Sequence, residues 1–441
     1  MNHSYDVVVV GAGCAGALAS SRIASNGFSV LLVDRRREAE ICRPTRDIVE
    51  EAALREAGVA SGIDLESRQV TSVEAISPDT ATSILLKDVP LRVVDRGPIC
   101  HRLLDEARDA GVQVLTECVV GAAEVDRGFA TGVSTDRGSF SCRLLVEASG
   151  LERVLCRDIP KGMGIPRRLR TSDHVSAYVE TRQLNEDSPG IPAAGTVRYH
   201  LGHFGGFNWT HFAQDGTIDV GTAVQDVKGA PDPRDIVLGY VRSSPPIGEK
   251  VLLRVGGRVP TRRPLSTMVA NGMMLVGDAA CQAAPLLLRG MGGALVGAFM
   301  LAATAVRALQ AGDVSAAGLW SYNHDYMHAR GADMAALDCM RLFMQKLTEK
   351  EFSWCMARKV IDESAISTML TGKLAGRPPA RIRSYIRGFG STPLDLRYEN
   401  TMRLAHKVAE HYRSYPRALE APEFAQWSAE AEFLFEDAWK L

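Results

Sequence analysis

The apolar and polar positions along the chain predict an alternation of strands and helices. Residues 7–10 form an unbroken valine run of the kind that makes a buried parallel strand. Residues 17–23 carry a helical apolar spacing, and Asn26-Gly27 is a helix stop. Residues 29–33 predict a second strand, closed by Asp34. A helix follows over 50–57, then strands of a small inserted sheet within 71–91. The next helix, 101–110, places Leu103, Leu104 and Ala107 on one face, and Gly111 stops it. A short strand at 112–115 precedes a hairpin of 130–135 and 138–144 around Asp136-Arg137-Gly138. Residues 144–150 return to the buried-strand pattern and end in small residues. The middle is β-rich, with strands at 174–181, 195–201, 207–212 and 218–224. A last apolar strand, 273–276, leads to a Gly- and Ala-rich helix over 290–306, and beyond 310 the chain is helical and polar-aromatic.

Strand, glycines, helix, strand and acid in that order make a dinucleotide site. Gly11 permits the tight turn, Gly13 lets backbone approach a pyrophosphate, and Gly16 lets helix and strand pack closely. The pyrophosphate sits on the helix N-terminus, and Asp34 accepts from a ribose diol. A second such device occurs downstream: a strand ends in Gly277-Asp278-Ala279-Ala280, and Pro285 and Gly290-Met291-Gly292-Gly293 open the apolar helix. One nucleotide does not need both. A long dinucleotide such as FAD does, with its flavin end at 290–293, where a helix N-terminus stabilises an anionic reduced ring. The fold class expected is α/β: a Rossmann-like FAD-binding domain with a parallel sheet, an inserted β-rich substrate domain and a C-terminal helical region. The domain boundaries are 1–160, with a small insertion at about 71–92, then 161–260 for the substrate domain, 261–310 for the returning FAD domain and 311–441 for the helices.

Composition narrows the function. At 441 residues, two or three domains are the prior, and a net charge of −1 gives no electrostatic case for nucleic acid. The 9 cysteines include no CxxC pair, so zinc ribbons and cysteine-ligated clusters find no support. With no signal peptide ahead of the first strand, the thiols fit a cytoplasmic protein. Metal sites at His324 and His328, or among His200, His203 and His211, lack further ligands or a carboxylate partner, and no metal is expected. Residues 35–37 read as a solvated basic turn, since Asp34 would repel a 2′-phosphate. The stretch 42–47, with Pro44 and two arginines, reads either as a loop near an anion or as an ordinary helix cap. On a strand, Phe207, Trp209 and His211 share one face, either as an aromatic sheet core or as a wall over a flat cofactor and an apolar substrate.

Motifs in fixed order resemble the geranylgeranyl reductase family of flavoproteins, in the p-hydroxybenzoate-hydroxylase fold group. They are the glycine loop of residues 7–16, Asp34, Asp95-Arg96, Gly257-Arg258-Val259-Pro260, residues 275–280, Pro285 and Gly290-Met291. The resemblance implies FAD as cofactor. Gly11, Gly13, Ala15 and Gly16 would take its pyrophosphate, Asp34 and Arg35 the adenosine ribose end, Arg96 the diphosphate region and Val120 the adenine side. Asp278 would face the ribityl chain, with Pro285, Gly290 and Met291 at the ring system. The family's Pro-x-x-Cys loop resembles Pro44-Thr45-Arg46-Asp47, with Asp47 where the thiol would be. Its Tyr-x-Trp-x-Phe-Pro substrate motif resembles residues 207–212, with only Trp209 intact, and Cys14 replaces a proline of the glycine loop. The activity implied is hydride reduction of C=C bonds in an apolar, isoprenoid-type lipid. Phe207, Trp209 and His211 would hold the substrate, and His211 or Asp47 would supply the proton. NAD(P)H or a ferredoxin-like carrier would supply electrons, with transient membrane contact. The alternative is an FAD monooxygenase acting on an aromatic or polyketide-like molecule; a quinone-linked dehydrogenase and a non-enzymatic flavin scaffold are lesser readings.

Overall fold

A computed structural model of the protein describes residues 3–59, 67–374 and 393–440. Its first sheet grows from the opening valines. Val7, Val8 and Val9 are wholly buried, each contributing about 1.5–3 kcal/mol over an exposed side chain. The strand His3–Val10 pairs in parallel with Val30–Val33 on one side and Gly138–Glu147 on the other. Gln113–Leu115 and Met273–Leu275 extend the parallel sheet at its two ends. The predicted hairpin is present and gains a third strand, Val120–Asp126. Helices Cys14–Ala24 and Met291–Ala311 pack together beside this sheet, and the second runs on to Gly312, whose φ of +70° ends it. Met291–Ala311 is apolar enough by composition to cross a membrane, but 67% of its most apolar window is buried inside the fold.

A seven-stranded sheet forms the middle of the molecule. Its order is Ile247–Pro260, His174–Leu184, Thr217–Gln225, Gly206–Phe212, Thr196–His203, Ser72–Ile76 and Ser83–Lys87. The insertion expected as its own small sheet is therefore the edge of this one: Ser72–Ile76 lies parallel to Thr196–His203. The 14-residue strand Ile247–Pro260 and the helix Pro233–Ser243 also escaped the sequence pattern. A three-stranded sheet of Arg46–Glu50, Leu91–Asp95 and Ser67–Gln69 links the two larger ones. Residues 46–47, read as loop, are thus strand. The helix after Asp95 begins at Arg96, not at 101, because Pro98 in its first turn is compatible with helix. The C-terminal region is helical as expected and includes Ala332–Met344, Glu349–Ala357, Glu363–Thr371, Pro393–Arg413 and Ala421–Lys440; residues 375–392 of it lie outside the described residues.

Candidate active site

The turn after the first strand is built for close approach. Gly11 has φ +110°, and a Cβ there would lie 2.5 Å from Ala148 C and 2.8 Å from Ser149 N. A Cβ on Gly16 would overlap the Gly11 carbonyl, so this glycine seats the helix against the turn and does not line the cleft. Asp34 is already engaged: its Oδ2 accepts from Ala12 N at 2.9 Å, and the Arg36 guanidinium chelates both oxygens at 3.1 Å. Burial pushes its carboxyl up, but Arg36 and two backbone N–H groups hold it below the usual carboxylate range. Arg35 points across to Glu152 at 3.9 Å, and Arg37 pairs with Glu117.

Both uncapped helix N-termini, at Gly13 and Gly290, open on one cleft of about 1130 Å³. Its walls include Gly11, Gly13, Ala15, Asp34, Arg35, Thr45, Arg46, Asp47, Arg96, Val120, Asp278, Gly290 and Met291. Fifteen of the eighteen residues singled out from the sequence line it, once Phe207 and Trp209 are counted; Gly16, Pro285 and His211 do not. Arg96 holds Asp47 in a bidentate pair at 2.7 and 2.9 Å. The Thr45 hydroxyl is buried in this wall with no partner of its own. Asp278 is pushed up by burial, with Arg96 opposing. Of the downstream glycines, Gly292 and Gly293 face inward, where a Cβ would meet Glu50 Oε2 at 2.6 Å or the Gln282 carbonyl. They pack the helix, while Gly290 and Met291 face the cleft.

The seven-stranded sheet supplies the opposite wall, with His174, Tyr178, Tyr199, Phe207 and Trp209. Phe207 and Trp209 lie 5.7 Å apart, as do Phe207 and Tyr199, and the Trp209 indole covers Gly221 of the neighbouring strand. Phe207, Leu287 and Leu288 also line a smaller apolar pocket reaching Val175, Leu201, Phe352 and Met369. Pro285 belongs to this pocket. His174 was not singled out from the sequence; it is 9% exposed and neither ring nitrogen has a hydrogen-bond partner. Burial, then Arg258, pushes it below its ordinary value.

The structure corrects the reading of His211. It is 6% exposed, off the cleft, with Nδ1 3.0 Å from Asp219 Oδ2. Burial raises Asp219, but the His211 hydrogen bond and Arg46 hold it low, and Arg46 also reaches Thr217 and Asp215. The supposed histidine cluster is three separate pairs: His200 with Tyr240, His203 with Glu349 and His211 with Asp219. Glu349 arrives from 146 residues away, while Asp219, only eight residues on, meets His211 through the pairing of two adjacent strands. His324 and His328 stack, with His328 Nδ1 on the His324 carbonyl, and no group of three potential metal ligands occurs among the described residues.

No family model matches the chain. It is 28% identical over 430 residues, 94% of each chain, to digeranylgeranylglycerophospholipid reductase of Sulfolobus acidocaldarius. A relative of the same name from Methanococcoides burtonii is 26% identical over 83% of this chain and 88% of its own. Among solved structures, a geranylgeranyl bacteriochlorophyll reductase-like protein of Thermoplasma acidophilum superposes with a TM-score of 0.75 at 18% identity, over 88% of this chain and all of that one. A probable FAD-dependent monooxygenase of Pseudomonas aeruginosa shares the fold at a TM-score of 0.60 and 16% identity, over 80% of this chain. The two-ended dinucleotide cleft beside an apolar wall, joined to alignment over nearly the whole length, makes the chain an FAD-dependent oxidoreductase similar to the geranylgeranyl reductases.

Proposed function

We propose that the protein reduces C=C bonds of an isoprenoid lipid. The observation that carries this is the apolar wall at the cleft: Phe207, Leu287 and Leu288 line both the cleft and an adjoining small apolar pocket, an environment suited to a prenyl chain beside the cofactor. The relatives named as reductases of a digeranylgeranyl lipid support the same substrate class.

The residues present fit FAD. The cleft exceeds the ~300–1,000 Å³ of most small-molecule sites, and its two ends offer free helix N-termini. The orphaned Thr45 hydroxyl is a donor without a protein partner in that wall. When bound and reduced, FAD supplies the hydride. On this reading the backbone of Gly11, Gly13 and Ala15, with Arg96, holds the pyrophosphate. Asp34 keeps lone pairs for the ribose beside Arg36, Arg35 and Val120 flank the adenosine, and Gly290 and Met291 face the ring system. An isolated alkene accepts hydride poorly, so Trp209, Phe207 and Tyr199 must exclude water and hold the double bond in register. Asp47, its oxygens held by Arg96, orients the proton-bearing water at the cleft wall. His211 acts one step removed, positioning Arg46 through Asp219. Electrons come from NAD(P)H or a ferredoxin-like carrier, and a lipid substrate brings a cytoplasmic protein into transient contact with membrane.

The test is an anaerobic single turnover. Dithionite-reduced protein mixed with a geranylgeranyl lipid should return to the oxidised visible spectrum as the lipid gains two hydrogens. Protein that stays reduced until air is admitted refutes the proposal.

A further inference from the structure

A cavity of about 260 Å³ lies apart from the cofactor cleft and shares no lining residue with it. Parts of 164–173 and 262–267 form one side, and the helices Ala332–Met344 and Ala421–Lys440 contribute to the other. Four arginines line it, of which Arg263 is 7% exposed and Arg341 3%. Carboxylates meet three of them. Arg262 donates to Asp173 at 3.0 Å, Arg263 to Glu432 at 2.8 Å and to Asp338 at 3.4 Å, and Arg341 to Asp338 at 2.7 Å. Four charges against three leave one over: Arg170 has no ion-pair or hydrogen-bond partner among the described residues. Arg262 spends Nη1 on Asp173 and Nε on the Arg263 carbonyl, so its Nη2 is uncommitted. The hydroxyls of Ser266 and Ser428, in the same wall, also make no hydrogen bond among the described residues.

The approach to the cavity carries the same sign. Gly164 and Pro166 of its wall belong to the stretch 161–170, which holds no acid and exposes Lys161, Arg167, Arg168 and Arg170. In a chain of net charge −1 this is a local excess, and a walled concavity focuses its field. We propose that the cavity binds a phosphate group, with Arg170, Arg262 and the two hydroxyls as donors. Guanidinium groups match phosphate oxygens, and the existing ion pairs can stay in place. Donors from three separate segments suit the three or four oxygens of a phosphate better than the two of a carboxylate.

Two sources carry such a group, the head of an isoprenoid lipid and a soluble phosphate ester. Arg341 lines this cavity and also the small apolar pocket that includes Phe207, Leu287 and Leu288. A lipid head at the arginines therefore stands one side chain away from a lining that suits its prenyl chain. The lipid source rests on the isoprenoid reading; the phosphate site does not.

The experiment saturates full-length protein with FAD, so that the cleft is filled. Inorganic phosphate, geranylgeranyl phosphate and geranylgeraniol are then titrated by calorimetry. Arg170→Gln is the main variant, because it leaves no carboxylate unpaired, and Ser428→Ala is the second. Both phosphate ligands should bind about 10–100-fold more weakly to Arg170→Gln and about 2–10-fold more weakly to Ser428→Ala. Geranylgeraniol, with no charge to meet, should change by less than about twofold. Geranylgeranyl phosphate binding at least about tenfold tighter than inorganic phosphate assigns the site to a lipid head, and equal affinities assign it to a soluble ester. Parent protein that binds neither phosphate, or phosphate binding that is equal in the parent and Arg170→Gln, overturns the proposal. If the phosphates bind as expected but neither prenyl compound reoxidises the reduced flavin, the reductase reading falls and the phosphate site stands.

Discussion

Gly221→Ala tests the aromatic wall without touching the cofactor. Gly221 sits opposite Trp209 in the antiparallel register, and the indole lies flat over it. A Cβ at this position would overlap three ring atoms, the farthest of them Cη2 at 2.5 Å. The backbone there needs no glycine, so the substitution acts through the ring alone. Overpacking costs about 1–3 kcal/mol. The loss of unfolded-chain freedom returns about 0.4–1 kcal/mol, leaving a net loss of at most about 2.6 kcal/mol that a large protein tolerates. The indole, pinned by the sheet below, must tilt into the cleft. A displacement of about 1 Å in a positioned substrate is worth up to about 100-fold in rate. We expect anaerobic reoxidation by a geranylgeranyl lipid to slow by about 10–100-fold, with the FAD dissociation constant within about twofold of the parent. In a Trp209→Ala background the same change should add nothing, because the ring that transmits it is gone. Full activity in Gly221→Ala, or an equal loss with and without Trp209, would show that the wall does not position the substrate.

Other substitutions probe the charges around the cleft. Arg96→Ala removes the counter-charge of Asp47 and lets the burial of Asp278 act unopposed. FAD affinity should fall by about 10–100-fold, since a charge-assisted hydrogen bond is worth ~1.5–3 kcal/mol; an unchanged flavin fluorescence titration would refute this placement of the pyrophosphate. His200 gives the pH dependence. Burial first, then the neighbouring His203 and Arg198, lowers it to about 4, with its ring on the Tyr240 hydroxyl. Its folded value lies below the unfolded ~6.5, so its contribution is complete above 6.5 and is lost as pH falls toward 4. His200→Gln should flatten the urea midpoint across that window, and an unaltered slope would contradict the assignment.

What the sequence determined by itself was local. The valine run, the glycines at 11, 13 and 16 and the acid at 34 specify strand, turn and helix through neighbours within thirty residues, and the second helix start at 290 was legible for the same reason. The helix Pro233–Ser243 was legible too, and overlooked: Asp232 caps it through Arg234 N, with proline in first position. The tertiary structure decided what depends on partners far along the chain. It carried Ser72–Ile76 to the edge of the middle sheet, beside Thr196–His203. It turned His211 from a presumed cleft residue into the buried partner of Asp219, held in turn by Arg46 from a different sheet. It gave Gly221 its indole. Alternation reports which face of a strand is apolar. Which strand lies beside it, and whether the face meets a cleft or another side chain, depends on long-range packing that periodicity does not encode.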